Sequence, residues 1–349
     1  MTLSDEPHYQ FETKRPGELT EAKIVAWARA LDDAVDCDSA FYSYTFAKAA
    51  QDVGFDVHVT TACNGAGELA GLFAFQKNPG LEGGLGLGQR VGGEMSDYSG
   101  PLLAKQPAGT LSPSDFFEAS GLKRFEIDHV PGGPPGGGED LVDAPGGPVT
   151  SMASGFDEWW ARFSEERKSR ATDLARRRRK IEREYGDLRF VLEVDKTDEL
   201  LDKIIDEKCR QYRERGATDV FENAQNRKLL HQLSREDHRQ CTLVLSTLYA
   251  GETWAAFHIG LRCGPVFHYW FPVFNDDLKR MSPGRLLILE MLRAMPGGGM
   301  NLLDYGLGES RTKLEFANGT RRFVKGSWSA AGVGGLVARS FQSLKWRLG

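Results

Sequence analysis

The sequence predicts an α/β (α+β) protein of two modules in tandem, each a mixed central sheet flanked by helices. Three observations lead there. Runs rich in β-branched and aromatic residues alternate with segments whose apolar residues recur at a period of about 3.6. The first half orders its elements as helices, hairpin, strand, helix, strand, and the second half repeats that order without a visible sequence repeat. A chain of 349 residues is also long for one hydrophobic core. The expected boundary follows a Gly/Pro-rich stretch, giving modules at 1–150 and 151–349.

After a polar lead, Leu19 to Val35 reads as a helix with Ile24, Trp27, Leu31 and Val35 on one face. A short helix follows near Tyr44 to Val53. Asp56–Thr61 and Leu69–Phe75 read as a hairpin that turns at Asn64-Gly-Ala-Gly67. Gly83-Gly-Leu-Gly-Leu-Gly88 looks superficially like a dinucleotide loop, but no helix opens directly after it. Glycine turns between strands explain it better. A helix at Ser114–Ser120 and a strand at Lys123–Val130 complete the first module. Pro131 to Pro148 can be neither a helix nor a good central strand. It reads as a mobile surface excursion, with a lid over a cleft as the alternative.

In the second half, one helical pattern runs from Phe156 to about Tyr185 and carries Trp159, Trp160, Phe163, Leu174 and Ile181. A strand at Leu188–Val194 and helices at Asp198–Arg215 and Ala224–Glu236 follow. Strands Cys241–Tyr249 and Trp254–Leu261 turn at Ala250-Gly-Glu252. Pro265–Phe274 is a buried strand in which Pro272 removes a ladder donor, marking either a splayed break or an edge. Ser282 as N-cap and Pro283 at the first turn open a buried helix that ends at Pro296 and Gly297–Gly299. Met300–Tyr305 is the next strand, running into Gly306-Leu-Gly308-Glu309 and a short helix with Lys313 and Phe316. Strand, helix, strand forms a βαβ unit whose helix N-terminus presents unpaired N–H groups and a positive dipole end to an anion.

Composition bounds the rest. A hydrophobic share of 40% and a charged share of 27% describe a soluble globular protein, and a net charge of −5 gives no global case for DNA or a membrane surface. Cys37, Cys63, Cys209, Cys241 and Cys263 show neither C-x-x-C nor metal spacing, which favours free thiols in a reducing compartment and no metal site. No apolar run approaches the ~20 residues needed to span a bilayer. The first ten residues lack the features of a signal peptide. A cytoplasmic protein is expected, its oligomeric state open.

The motif Ser282-Pro-Gly284, then a helix, then Asp304-Tyr-Gly-Leu-Gly-Glu-Ser310 with Lys313 and Phe316, resembles the C-terminal signature of the CelD-type acetyltransferases. That GNAT-like family is linked to cellulose and exopolysaccharide synthesis and is itself similar to the FemAB-type peptidyltransferases. The resemblance continues in Phe41-Tyr-Ser-Tyr-Thr-Phe46, Asp97-Tyr-Ser-Gly-Pro101 and the basic helix around Arg176–Lys180, and so covers most of the chain. It implies two GNAT modules, with acetyl-CoA or another acyl-CoA bound in the second. In such folds the strand before the cofactor helix splays from its neighbour and the acyl group enters the gap. The implied acceptor is a sugar or polysaccharide precursor. One motif departs: Lys279-Arg-Met-Ser-Pro-Gly284 stands where the family of GNAT enzymes has its pyrophosphate loop, Gln/Arg-x-x-Gly-x-Gly/Ala. An aminoacyl group taken from tRNA, as in FemAB-type enzymes, therefore stays open. A non-catalytic interaction protein on the same scaffold is the third reading.

The donor site is expected to take in Phe274, Lys279, Arg280, Ser282, Gly284 and Arg285. Acyl transfer also needs a nucleophile freed of its proton. Asp304, at the end of a buried strand, is the candidate base, with Glu309, Lys313 and His268 as further catalytic candidates. The plainer readings are that Asp304 caps a loop, that Glu309 and Lys313 form an i,i+4 pair worth ~0.3–0.5 kcal/mol, and that the strand histidines His258 and His268 are packed. Tyr98 or Tyr305 could protonate a leaving thiolate, or simply fill the core. For the acceptor, Asp97 and Tyr98 join the basic helix, where Arg170, Arg177 and Arg178 would meet a sugar nucleotide, a lipid-linked phosphate or an acidic glycan. A solvated face balanced by Glu182 and Glu184 is the alternative.

Overall fold

The structure, a computed structural model, describes residues 8–34, 37–104, 111–131 and 142–330. It begins with strand β1 (Gln10–Lys14), helices α1 (Glu21–Asp33) and α2 (Tyr44–Asp52), and the hairpin β2 (Val57–Cys63) and β3 (Leu69–Lys77). A single turn α3 (Leu81–Gly84), strands β4 (Leu87–Gln89) and β5 (Leu102–Leu103), helix α4 (Pro113–Ser120) and strand β6 (Arg124–Pro131) come next. Strand β7 (Val142–Ser151) leads into α5 (Phe156–Glu166), α6 (Lys168–Tyr185), β8 (Leu188–Val191), α7 (Asp198–Arg215) and α8 (Ala224–Arg235). Then follow β9 (Asp237–His238), β10 (Cys241–Ala250), β11 (Thr253–Cys263), β12 (Val266–Phe274) and α9 (Pro283–Ala294). Strand β13 (Leu302–Asp304), helix α10 (Arg311–Phe316) and strand β14 (Gly319–Ser329) complete the described chain. No described helix is long and apolar enough to cross a membrane.

These elements gather into two compact units: the described residues of Met1–Pro145 with those of Arg321–Gly349, and Gly146–Thr320. Unit 1 has the sheet order β1-β2-β3-β4-β6-β14, with β4 and β6 parallel and the other neighbours antiparallel. Unit 2 has the order β8-β10-β11-β12-β13-β7, with β12 and β13 parallel and the rest antiparallel. The two sheets follow one plan, as the repeated element order predicts. In each, the parallel pair is bridged by a helix, which is the connection parallel strands need.

Unit 1 closes its core with a strand from the far end of the sequence. Trp328 of β14 stacks on Phe125 (6.0 Å between ring centroids) and meets Phe73 edge-on at 5.8 Å. Around it lie the buried side chains of Phe75, Phe116 and Ile127. In unit 2, α9 is the central helix. Leu286, Leu287, Ile288, Leu289, Met291 and Leu292 are all buried, so the helix is apolar nearly all round. The β10–β11 hairpin turns at Gly251 with φ +55, where a Cβ would be driven into the Tyr185 carbonyl oxygen.

Several expectations need correction. The helical pattern from Phe156 to Tyr185 breaks at Arg167, whose backbone leaves the helix (φ −124, ψ 44). Its guanidinium donates to the carbonyls of Leu314, Glu315 and Ala317 at the end of α10, a long-range tie that local periodicity cannot show. The polar lead contains β1, whose side chains are mostly exposed and therefore carry no apolar signal. β8 ends at Val191, short of Val194. Of the Gly/Pro-rich stretch read as an excursion or lid, residues 132–141 lie outside the described residues, as does Val35 of the first expected helix. Pro131 ends β6, and 142–148 belong to β7.

Trp328→Ala should lower the unfolding free energy of unit 1 by about 3–5 kcal/mol, the usual cost of removing a buried tryptophan. Urea unfolding followed by a probe in unit 1 checks it; an unchanged midpoint would mean β14 does not complete that core.

Candidate functional site

β12 and β13 pair only from Val266↔Leu302 to His268↔Asp304. β13 then stops while β12 continues to Phe274. Beyond the last rung, side chains of α7 satisfy the β12 backbone: Lys208 Nζ donates to Pro272 O (3.1 Å) and Gln211 Nε2 to Phe274 O (3.0 Å). A cleft of about 580 Å³ opens here. Tyr269, Pro272 and Phe274 form one wall, and Ser282, Pro283 and Gly284 at the head of α9 form another. Arg215, Lys279 and Lys313 also line it.

Ser282 stands at the N-cap position, but not as expected. It holds a left-handed backbone (φ 53, ψ 58) and makes no side-chain cap. The 3₁₀ turn Asp276–Met281 dictates this, because Ser282 N–H closes back on Lys279 O (3.1 Å) before the chain reverses into α9. Ser282 O then accepts the N–H groups of Arg285 (3.0 Å) and Leu286 (3.3 Å). Since Pro283 has no N–H, Gly284 supplies the first-turn donor left for an anion. A Cβ on Gly284 would meet only the Phe274 ring, at an ordinary 3.7 Å. The Arg285 guanidinium is taken up inside the fold by Asp173 (2.6 Å) and Glu315, although the residue lines the cleft.

The basic helix α6 lies within unit 2 against α9. Arg177 bonds Asp173 (2.7 Å) and Arg280 O (2.7 Å), while Arg178 bonds Glu182 (2.9 Å) and Glu290 (2.7 Å). Asp173, Glu182 and Glu290 thus give Arg177 and Arg178 counter-charges within the fold. Burial pushes the Asp173 carboxyl up, but hydrogen bonds from Arg177, Arg285 and Arg176 outweigh it and hold the group well below the usual range. Arg170 is half-buried earlier on α6, and the Lys279 and Arg280 side chains are exposed.

Around the cleft the charge is positive. Arg215 lies over the Phe274 ring at 5.5 Å, and Lys313 donates to Leu307 O (2.6 Å). Burial, helped by Arg215 and Lys313, pulls the Lys208 ammonium down to about 8. Lys208, Gln211 and Arg215 are not among the residues expected from the sequence. Their spacing of i, i+3, i+7 was a legible polar stripe on α7, but the apolar face of the same helix masked it.

Asp304 is fully buried, accepts the Gly306 N–H (2.8 Å), and lies 3.9 Å from His268 Nδ1. It does the work of a loop cap, and neither it nor His268 is among the residues lining the cleft. Glu309 is exposed. Tyr305 shares a hydrogen bond with Thr150 (2.9 Å), and burial pushes its phenol well up. In unit 1, Tyr98 is buried, stacked on Phe323 at 5.0 Å, and Asp97 is half-buried beside it. His258 is fully buried; its Nε2 accepts the Trp270 N–H (3.2 Å) and its ring lies flat on Tyr269 at 4.7 Å. Burial, with His268 and Lys208 nearby, holds the imidazole well below its ordinary 6.5. Among the described residues, no group of three His, Cys, Asp or Glu side chains could hold a metal ion.

Residues 168–314 match the family described as an acetyltransferase (GNAT) domain, and that segment contains every residue lining the cleft. Among solved structures the chain is similar to FemX, with a TM-score of 0.58 and 9% identity over 90% of this chain and 96% of that one. L-PGS from Bacillus licheniformis gives 0.51 and 11%, over 92% of this chain and 96% of that one. A tandem GNAT protein from the clavulanic acid biosynthesis pathway gives 0.50 and 11%, over 93% and 100%. At such identities the likeness is one of fold. No curated protein matches the chain.

The state of His258 has a measurable consequence. The folded protein keeps it neutral, whereas the unfolded chain binds a proton near pH 6.5. Its contribution to stability is therefore intact above about pH 6.5 and is lost as pH falls towards the depressed native value, at up to about 1.4 kcal/mol per pH unit. Urea titrations at several pH values should show this slope, reduced in His258→Gln. Equal slopes in both proteins would assign the titration to another group.

Proposed function

We propose that this protein is an acyltransferase whose unit 2 binds an acyl-CoA, acetyl-CoA in the first instance. It would pass the acyl group to an amine or hydroxyl of a sugar or polysaccharide precursor. The observation that carries the donor half is the cleft. An extended strand edge, free of β13 beyond His268, runs up to a helix N-terminus bared by Gly284. Arg215, Lys279 and Lys313 stand around it to receive phosphates. Transfer needs the acceptor to attack the thioester carbonyl, the C–S bond to break, and the departing thiolate to gain a proton. The acceptor class rests on the resemblance to the CelD-type family.

One observation favours a second donor. With Pro283 lacking an N–H and Arg285 N–H turned onto Ser282 O, the helix head has few backbone donors for a pyrophosphate. Side chains must carry most of the anion's charge, and a tRNA end offers phosphates to them as well. An aminoacyl-tRNA donor is the reading this supports.

At 100 times its dissociation constant, acetyl-CoA should raise the unfolding free energy by ~2.7 kcal/mol. Gly284→Val should fold normally, since its Cβ has room, and should weaken acetyl-CoA by about tenfold or more through the rest of the side chain. Stabilisation by aminoacyl-tRNA and not by acetyl-CoA would move the conclusion to the second donor. Unchanged affinity in the variant would remove the site from this cleft.

A further inference from the structure

β12 carries one residue more than its partner. Against β11 its register runs Ile259↔Phe271 and then Gly260↔Tyr269, so Trp270 is looped out as a bulge. The extra residue changes the phase of the strand. In a regular strand Tyr269 would share a face with Phe271 and Val273. Here Tyr269 instead lines the cleft together with Pro272 and Phe274. Phe271 packs against Phe221, 5.0 Å between ring centroids.

A bulge interrupts the ladder, and the looped-out N–H needs another acceptor. His258 on β11 supplies it: Nε2 lies 3.2 Å from the Trp270 nitrogen. The imidazole is held from its other sides. It lies on Tyr269 at 4.7 Å and meets Phe267 edge-on at 5.4 Å. Gly260 makes room for it, since a Cβ there would come within 2.5 Å of both His258 Cε1 and the Phe267 ring. Nε2 can accept only while unprotonated. Burial and the neighbouring His268 and Lys208 keep it so.

We propose that His258 is a positioning residue for the donor cleft: it locks the bulge at Trp270, and the bulge sets Tyr269, Pro272 and Phe274 along one wall. What the cleft binds rests on the acyl-donor reading above; how the cleft is shaped does not. Two variants separate the hydrogen bond from the packing. His258→Phe keeps a flat ring on Tyr269 but no acceptor, and His258→Gln restores an acceptor.

The seven tryptophans make ¹⁵N-tryptophan labelling tractable, so exchange of the Trp270 amide can be followed directly. In His258→Phe the exchange should quicken by about 100-fold as the N–H loses its acceptor. Acetyl-CoA affinity, measured by calorimetry, should fall by about tenfold, with the Gln variant within about threefold of wild type. Wild-type affinity in a His258→Phe protein whose Trp270 amide is deprotected would overturn the proposal and leave the donor reading standing. If the unaltered protein does not bind acetyl-CoA, the donor reading fails, and a crystal structure of His258→Phe decides the present point. A lost bulge with Tyr269 turned from Phe274 supports it, and an unchanged bulge refutes it. Should the Phe variant not fold, the pH dependence of wild type and His258→Gln substitutes. The wild-type Trp270 amide should lose protection as pH falls through the protonation of His258, with His268, Lys208 and Tyr269 the other titratable groups facing that ring. Parallel curves in the two proteins would refute the proposal.

Discussion

The parallel ladder between β12 and β13 runs only from Val266↔Leu302 to His268↔Asp304, and the cleft begins where it stops. A strand that outruns its partner leaves backbone carbonyls that must be satisfied or hydrated. In unit 2, α7 satisfies two of them through Lys208 and Gln211. Asp304, on the last rung, turns its carboxylate onto the Gly306 N–H and directs the chain away from the sheet. The bulge at Trp270 then re-aims the side chains of the unpaired stretch. These features together convert a break in hydrogen bonding into a concave surface beside the head of α9.

That helix head needs support, because α9 is buried nearly all round and opens with a left-handed serine. The support is electrostatic. Arg285 is held between Asp173 and Glu315, while Glu290 binds both Arg178 and Arg293. Exposed ion pairs contribute little, but the partners of a largely buried carboxylate matter more, because removing one strands a charge in low dielectric. Helix α6 therefore braces α9 through Arg178 and Asp173. The cations left to face the cleft come from other elements: Arg215 from α7, Lys279 from the turn before α9, and Lys313 from α10.

Much of this was legible in the chain. The hairpins, α7, α9 and the strand–helix–strand order of unit 2 each carry a strong apolar period or a turn signal, and each is found close to its expected limits. Of the six residues expected together at a donor site, Phe274, Lys279, Ser282, Gly284 and Arg285 line one cleft, and Arg280 is not among its lining residues. The misses have physical causes. β1 is an exposed strand without an apolar face, and Arg167 breaks a helix through carbonyls some 150 residues away. The polar stripe holding Lys208 was masked by the apolar face of α7, and the hydrogen bond of His258 to the backbone of β12 is one that no side-chain pattern records.

The sequence by itself determined the class of fold and the repeated order of elements, because burial on one face imposes a period that local reading can detect. The tertiary structure decided what that reading could not. It sent β14 to the core of unit 1, joined Arg178 of α6 to the buried Glu290 of α9, and placed a buried imidazole under the bulge of β12. Each of these depends on partners distant in sequence, and a hydrogen bond or ion pair between such partners leaves no trace in the periodicity of either one.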